Sequence, residues 1–156
     1  MFEGRRRGFT MIETIMVVAI VAVVAATGGP KLSEALQRRT STSAGDQFVL
    51  THSLSRSTAI RYGRVAQLHI DPAGRRFWVD VDTSAGGIGQ RATIGYVRDM
   101  SGSGLAMTST RTLLCFDAQG LASTSGSCQP GNSEVIFSGG ATADTIATTA
   151  LGKVLR

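Results

Sequence analysis

Residues 5–26, RRRGFTMIETIMVVAIVAVVAA, constrain this chain more than any other stretch. Phe9 to Thr27 is an apolar run of about 19 residues, which as an α-helix reaches roughly 28 Å, close to the hydrocarbon thickness of a bilayer. Val, Ile, Ala and Met dominate it, and neither Gly nor Pro interrupts it before Gly28-Gly29-Pro30. Arg5, Arg6 and Arg7 precede it, so the positive-inside bias keeps the N-terminus cytoplasmic and sends the rest outward. Glu13 is the anomaly. A carboxylate at the centre of a lipid-crossing helix costs about 2.5–3.5 kcal/mol by insertion scales, and less near an end. A secretory signal peptide gains nothing from that acid, and Ala25-Ala26 offers no clean A-x-A cleavage site.

A cut between Gly8 and Phe9 makes sense of Glu13. Phe9 then carries a free amino group, and Glu13 follows four residues later. A neighbouring copy shifted along the helix axis brings its own amine to this carboxylate, and the low dielectric strengthens the pairing. On this reading the acid marks register for stacked helices and does no catalytic work.

Gly8-Phe9-Thr10-Met11-Ile12-Glu13 resembles the cleavage and N-methylation motif of type IV prepilins and type II secretion pseudopilins. The short basic leader, the long apolar helix and Pro30 just beyond it match as well. The resemblance implies cleavage after Gly8 by a prepilin peptidase and methylation of the new Phe9 amine. It also implies storage in the inner-membrane lipid as a single-pass protein, with the C-terminal domain periplasmic, and later assembly with other pilin or pseudopilin subunits. The implied segments are a leader at 1–8, a transmembrane or filament-core helix at 9–29, an amphipathic continuation at 30–62 and a β-rich head at 63–156.

With 156 residues there is room for one modest domain beyond this extension. Only 17% of residues are charged, while Gly, Ser, Thr and Ala are abundant, which favours a turn-rich β domain. The net charge is +5, but residues 1–8 hold three arginines and one glutamate. Removing them leaves +3, a weak argument for a nucleic-acid partner.

Beyond Pro30 the helical signs continue, with Leu32/Leu36 and Leu50/Leu54 as i,i+4 pairs. Pro30 is expected to kink or restart the helix, and Thr40–Gly45 (TSTSAG) to loosen or break it, leaving a weak middle in a helix that runs from Lys31 to about Tyr62. From Val65 the period becomes two. Ala66, Leu68 and Ile70 alternate with Gln67 and His69, Asp71-Pro72-Ala73-Gly74 forms a turn, and Phe77, Val79 and Val81 alternate with Trp78, Asp80 and Asp82. Further short strands are expected at Thr93–Val97, Leu113–Phe116, Glu134–Ser138 and Thr145–Ala150. The fold class is α+β: a long N-terminal helix packed on a C-terminal antiparallel sheet or small sandwich, pilin-like in view of the resemblance.

The body narrows the resemblance. Leu54-Ser55-Arg56-Ser57-Thr58-Ala59-Ile60-Arg61, followed by Gly63 and Val65, resembles the helix end and first strand of the GspH/FimT family of minor pseudopilins and pilins. Phe116-Asp117-Ala118-Gln119-Gly120 resembles that family's late F-D-x-x-G turn, and Gly152-Lys153-Val154-Leu155-Arg156 its glycine-plus-basic C-terminus. The family implies a GspH-like subunit of a type II secretion pseudopilus, or alternatively a FimT-like minor type IV pilin that helps pilus assembly and takes up DNA. For DNA the candidate residues are Lys153, Arg156, Arg75 and Arg76. Here lysine stands in the place of the family's first arginine and an extra residue precedes Arg156, so the bidentate geometry of an arginine pair is lost. The competing reading is a solubilising surface of cations paired with carboxylates.

No catalytic constellation, metal site or cofactor motif emerges, and the chain reads as a non-enzyme. His52 and His69 lack a third ligand and read as solvated or capping residues. Asp80 and Asp82 share a strand face and read as solvated carboxylates facing Arg75 or Arg76, without the oxygen-rich loop that calcium needs. Gly86-Gly87-Ile88-Gly89 lacks the strand-then-helix setting of a nucleotide loop and reads as a connection. If the domain is exported, Cys115 and Cys128 are expected to form a disulfide, worth roughly 3 kcal/mol for a loop of about fourteen residues. In a reducing compartment the same pair would be two buried thiols.

Overall fold

The computed structural model describes residues 9–84, 89–123, 127–128, 131–140 and 142–156. The chain divides into two units, Met1–Leu36 and Gln37–Arg156. One helix, α1 (Met11–Tyr62), enters both. In the first unit its described side chains are exposed, Met11 at 82% and Val17 at 53%, and nothing of its most apolar stretch is buried.

Among the described residues of the second unit eight strands follow: β1 (Ala66–Asp71), β2 (Arg76–Asp82), β3 (Arg91–Asp99), β4 (Ala106–Ser109), β5 (Leu113–Phe116), β6 (Ser133–Gly139), β7 (Thr142–Thr148) and β8 (Val154–Leu155). They form two antiparallel four-stranded sheets, ordered β3-β2-β1-β5 and β4-β6-β7-β8. The expected hairpin is β1–β2, with Ala66 opposite Val81 and Asp71 opposite Arg76. Its turn is held by the Gly74 amide, which donates to Asp71 Oδ1 at 2.9 Å, and it closes through Arg75 at φ 52°. Leu113–Phe116 falls on β5, and the other expected strands fall on β3, β6 and β7, the last beginning three residues earlier than expected. β4 and β8 went unforeseen because strands of four and two residues carry too few alternations to show a period.

Phe48 organises the core. Its ring meets Phe77 of β2 edge-on at 5.4 Å and Phe137 of β6 at 6.1 Å, so one helical side chain joins both sheets. Leu68, Val79, Val81, Phe116, Val135 and Ile146 complete the apolar interior. Each buried side chain of this size contributes about 1.5–3 kcal/mol through lost hydration.

The expected weak middle is a correction. α1 runs unbroken through Thr40–Gly45, because these small residues pack where the helix meets the second sheet. Ser41 and Ala44 are buried, and a Cβ at Gly45 would overlap Asp144 Oδ2 and stand 3.2 Å from Ile146 Cδ1. The buried hydroxyls of Ser41 and Thr51 donate to the helix's own carbonyls at Arg38 (2.9 Å) and Gln47 (2.8 Å), so these two enter the interface without orphaned donors, whereas the buried Ser55 hydroxyl has no partner among the described residues. The helix is also continuous across Pro30, with no restart there. It ends in a Schellman motif: Gly63 at φ 63° donates to Ile60 O, and Arg64 donates to Ala59 O.

Candidate functional site

Two regions carry the residues of interest, the start of α1 and the head. At the start, Thr10 precedes the helix and its Oγ1 accepts the Glu13 amide at 3.3 Å, while Glu13 Oε2 reaches back to the Thr10 amide at 3.5 Å. That reciprocal pair is a capping box, T-x-x-E ahead of an apolar run. The T-x-x-E spacing is present in the sequence itself, so Glu13 has a capping role beside the register role read from its cost in lipid. Gly8 lies outside the described residues.

In the head, two of the three stretches that carried the body resemblance meet. Arg56 of α1 donates from Nε to the Gly120 carbonyl at 2.8 Å, across 64 residues of sequence. Asp117 Oδ1 accepts the amides of Gln119 and Leu121, each at 2.9 Å, and the Gly120 amide returns to Asp117 O, so the aspartate closes its own turn. Gly120 sits at φ 75°, and a Cβ there would press on Ile60 Cδ1 at 2.9 Å. Only glycine suits both demands. Cys115, at the base of this turn, is bonded to Cys128, with Cα atoms 5.7 Å apart.

The four candidate phosphate-binding cations have different surroundings. Arg156 is clamped between two carboxylates: Nε and Nη2 meet Asp144 Oδ1 and Oδ2 at 3.2 and 2.6 Å, Nη1 meets Asp46, and Nη2 also donates to Thr42 O at 3.1 Å. Bidentate pairing of this kind neutralises the guanidinium and fixes its plane. Arg76 pairs with Asp71 at 2.9 Å, and the Gly74 amide and Arg76 together hold that carboxyl below its usual range. Arg75 reaches only the Leu105 carbonyl, at 3.5 Å. Lys153 and Arg75 both lack an ion pair among the described residues. The four cations therefore do not converge on one site.

Three further expectations change. His52 is neither solvated nor capping: it is 2% exposed, edge-on to Phe116 at 4.9 Å, with Nε2 unpartnered among the described residues. Burial first, then the Arg56 charge, lower its pKa to about 4. His69 lies flat on Trp78 at 5.0 Å, and its pKa is lowered by burial and by Arg91 against the opposing pull of Asp80. Asp80 and Asp82 do not face Arg75 or Arg76. Asp80 takes Thr93 Oγ1 at 2.8 Å and Trp78 Nε1 at 3.2 Å, while Asp82 binds Ser84 and lies 3.3 Å from Arg64. Of the Gly86–Gly89 connection, residues 86–88 lie outside the described residues.

Among the described residues, no three metal-ligating side chains gather. An open polar recess of about 500 Å³, lined by Thr110, Arg111, Thr112, Leu113, Ser127 and Asn132, contains none of the residues singled out from sequence.

Comparison with known proteins agrees with both regions. Residues 4–28 match the family model described as the prokaryotic N-terminal methylation motif. The fold matches a crystal structure of the type IV minor pilin FimU of Pseudomonas aeruginosa at a TM-score of 0.58 and 16% identity, covering 76% of this chain and 88% of that one. A second crystal form of FimU matches at 0.54 and 15%, covering 73% and 90%. The chain has a prepilin-type N-terminus and a minor-pilin fold. No curated protein matches the sequence significantly. This chain matches a methylation motif at its N-terminus and FimU in fold. Its exposed apolar helix fits an inner-membrane anchor.

Proposed function

We propose that this chain is a minor pilin processed between Gly8 and Phe9, methylated on Phe9 and stored in the inner membrane with its head in the periplasm. From there it enters a filament through α1. The observation that carries this reading is the coincidence of a methylation motif over residues 4–28 with a minor-pilin fold in the remainder. The capping contact between Thr10 and Glu13 supports a helix that starts where the processed chain would start. Of the two machines the family serves, the likeness to FimU favours the type IV pilus over the type II secretion pseudopilus. The DNA-gripping variant of that role loses support because Arg156 is already spent on Asp46 and Asp144.

Glu13→Val tests the assembly role. The variant is expected to insert and lose its leader as the wild type does, with intact mass showing a chain that begins at methylated Phe9. It is expected to be strongly depleted from sheared filaments. Wild-type incorporation of Glu13→Val would overturn the register role, and a mature chain that still begins at Met1 would overturn the prepilin reading. Recovery of the wild type in sheared surface pili supports the pilus; recovery only in the secretion pseudopilus supports the alternative.

A further inference from the structure

The inward face of the second sheet changes character along its length. β6 and β7 pair Phe137 with Asp144, Val135 with Ile146 and Ser133 with Thr148. Side chains two apart share a face of a strand, so Ser133 follows Val135 and Phe137 into the interior, and Thr148 follows Ile146. The last rung therefore puts two hydroxyls where the rung before it puts Val135 and Ile146. Ser133 is 2% exposed and Thr148 4%, and neither Ser133 Oγ nor Thr148 Oγ1 has a hydrogen-bond partner among the described residues. A buried hydroxyl without a partner keeps the full cost of its lost hydration, and native interiors rarely leave one so.

Thr148 also lines a cavity of about 20 Å³. Leu114 and Phe116 of β5 line it from the first sheet, and Ala122, Gly131 and Gly152 from the connecting loops. Gly152, at φ 79°, comes so near Phe116 that a Cβ there would stand 3.0 Å from Cε1. A water molecule needs roughly 10–15 Å³ of such space and two to four polar partners, whereas cavities that stay dry have apolar walls. This one has room for a single water and for no larger polar molecule. No charged side chain lines it among the described residues, so its ligand is neutral. Each of the two hydroxyls can donate one hydrogen bond and accept others. His52 Nε2 and Ser55 Oγ are also unpartnered among the described residues, but neither residue lines this cavity.

From the cavity and the two unpartnered hydroxyls we infer that one buried water molecule is bound between the sheets, hydrogen-bonded to Thr148 Oγ1 and Ser133 Oγ. The water satisfies the polar rung and fills the space beside Phe116, so a serine and a threonine hold a place in the core that two apolar side chains would otherwise take. The competing arrangement is a direct bond, since serine and threonine side chains facing each other on an antiparallel pair bond across it. That arrangement satisfies both hydroxyls without a ligand, and the test separates the two. The site lies within the head and does not depend on which filament the chain enters.

Oxygen-17 magnetic relaxation dispersion of the full chain in detergent micelles counts the water molecules that tumble with the protein, and exchange of hydroxyl protons does not enter that count. Ser133→Ala with Thr148→Val is expected to lower the count by one from the wild-type value. Thr148→Val alone is expected to give the same loss and serves if the double variant does not fold. Thr148→Ser keeps the hydroxyl and is expected to keep the water, as is Ser55→Ala on the helix. A crystal structure of the wild-type chain is expected to show one water oxygen about 2.7–3.0 Å from both hydroxyls. An unchanged count in the Thr148→Val variants would overturn the inference. So would a loss caused by Ser55→Ala, or a crystal structure in which Ser133 and Thr148 bond each other with no oxygen between them.

Discussion

α1 is one helix with two opposite relations to water. From Met11 to Leu36 its side chains are the most apolar of the chain and lie exposed; from Gln37 to Tyr62 it is rich in Ser, Thr and Ala, yet one face of it is buried. Hydropathy and burial thus run in opposite directions along a single element. The first part is long and apolar enough to cross a membrane. The second is polar in composition because small hydroxyl-bearing residues let two sheets approach closely, and the hydroxyls of Ser41 and Thr51 bond to the helix itself. Hydrophobicity reports the intended solvent, and side-chain size reports how near a neighbour can come.

The largest expected effect that sharpens this contrast is at Phe48. Phe48→Ala should destabilise the head by about 3–5 kcal/mol, since it empties the point where both sheets meet the helix. Val17→Ala, on the exposed part, should leave thermal unfolding of the head unchanged. Equal shifts from the two would show that the first half also contributes to the folded head.

Next in size is the acid response of His52. Its pKa in the folded protein is lowered from 6.5 to about 4, so the core holds the neutral ring. The stability tied to that neutrality is complete above pH 6.5 and falls away as the pH drops toward 4. Between pH 7 and pH 5 the head should lose about 2 kcal/mol. Melting curves at the two pH values check this, and His52→Leu should remove most of the difference, leaving the smaller part carried by half-buried His69. A wild type that melts identically at both would show that His52 finds a partner for its charge.

The smallest effect concerns glycine. Gly45→Ala raises helix propensity by about 1 kcal/mol yet should destabilise the head by about 1–2 kcal/mol, because the new methyl group displaces Asp144 from Arg156. Gly29→Ala, with nothing within 4 Å, should leave helix content by circular dichroism equal or higher. A stabilising Gly45→Ala would mean that Thr40–Gly45 is the soft segment its composition suggests.

Much was legible beforehand where the signal is local. The β1–β2 hairpin could be read because a period of two and an Asp-Pro-Ala-Gly turn act within a few residues of each other. The end of α1 at Tyr-Gly is likewise a local matter. Thr40–Gly45 was misread because propensity describes an isolated helix, and the packing partner, β7, comes about a hundred residues later. His52 was misread for the same reason. A histidine within a polar-looking stretch gives no sign that Phe116 will cover it. Arg156 looked like a free cation because its carboxylates stand 12 and 110 residues away.

The sequence by itself determined the N-terminal segment: the basic approach, the Gly8-Phe9 junction, the apolar run and Glu13. Each works through position along the chain and the preference of a helix for lipid, and needs no distant partner. Tertiary structure alone decided the division into two sheets, the clamp on Arg156, the burial of His52 and the bulge that sets Gly95 beside Leu54. These depend on which residues meet across long loops, and no short window of sequence contains both halves of such a contact.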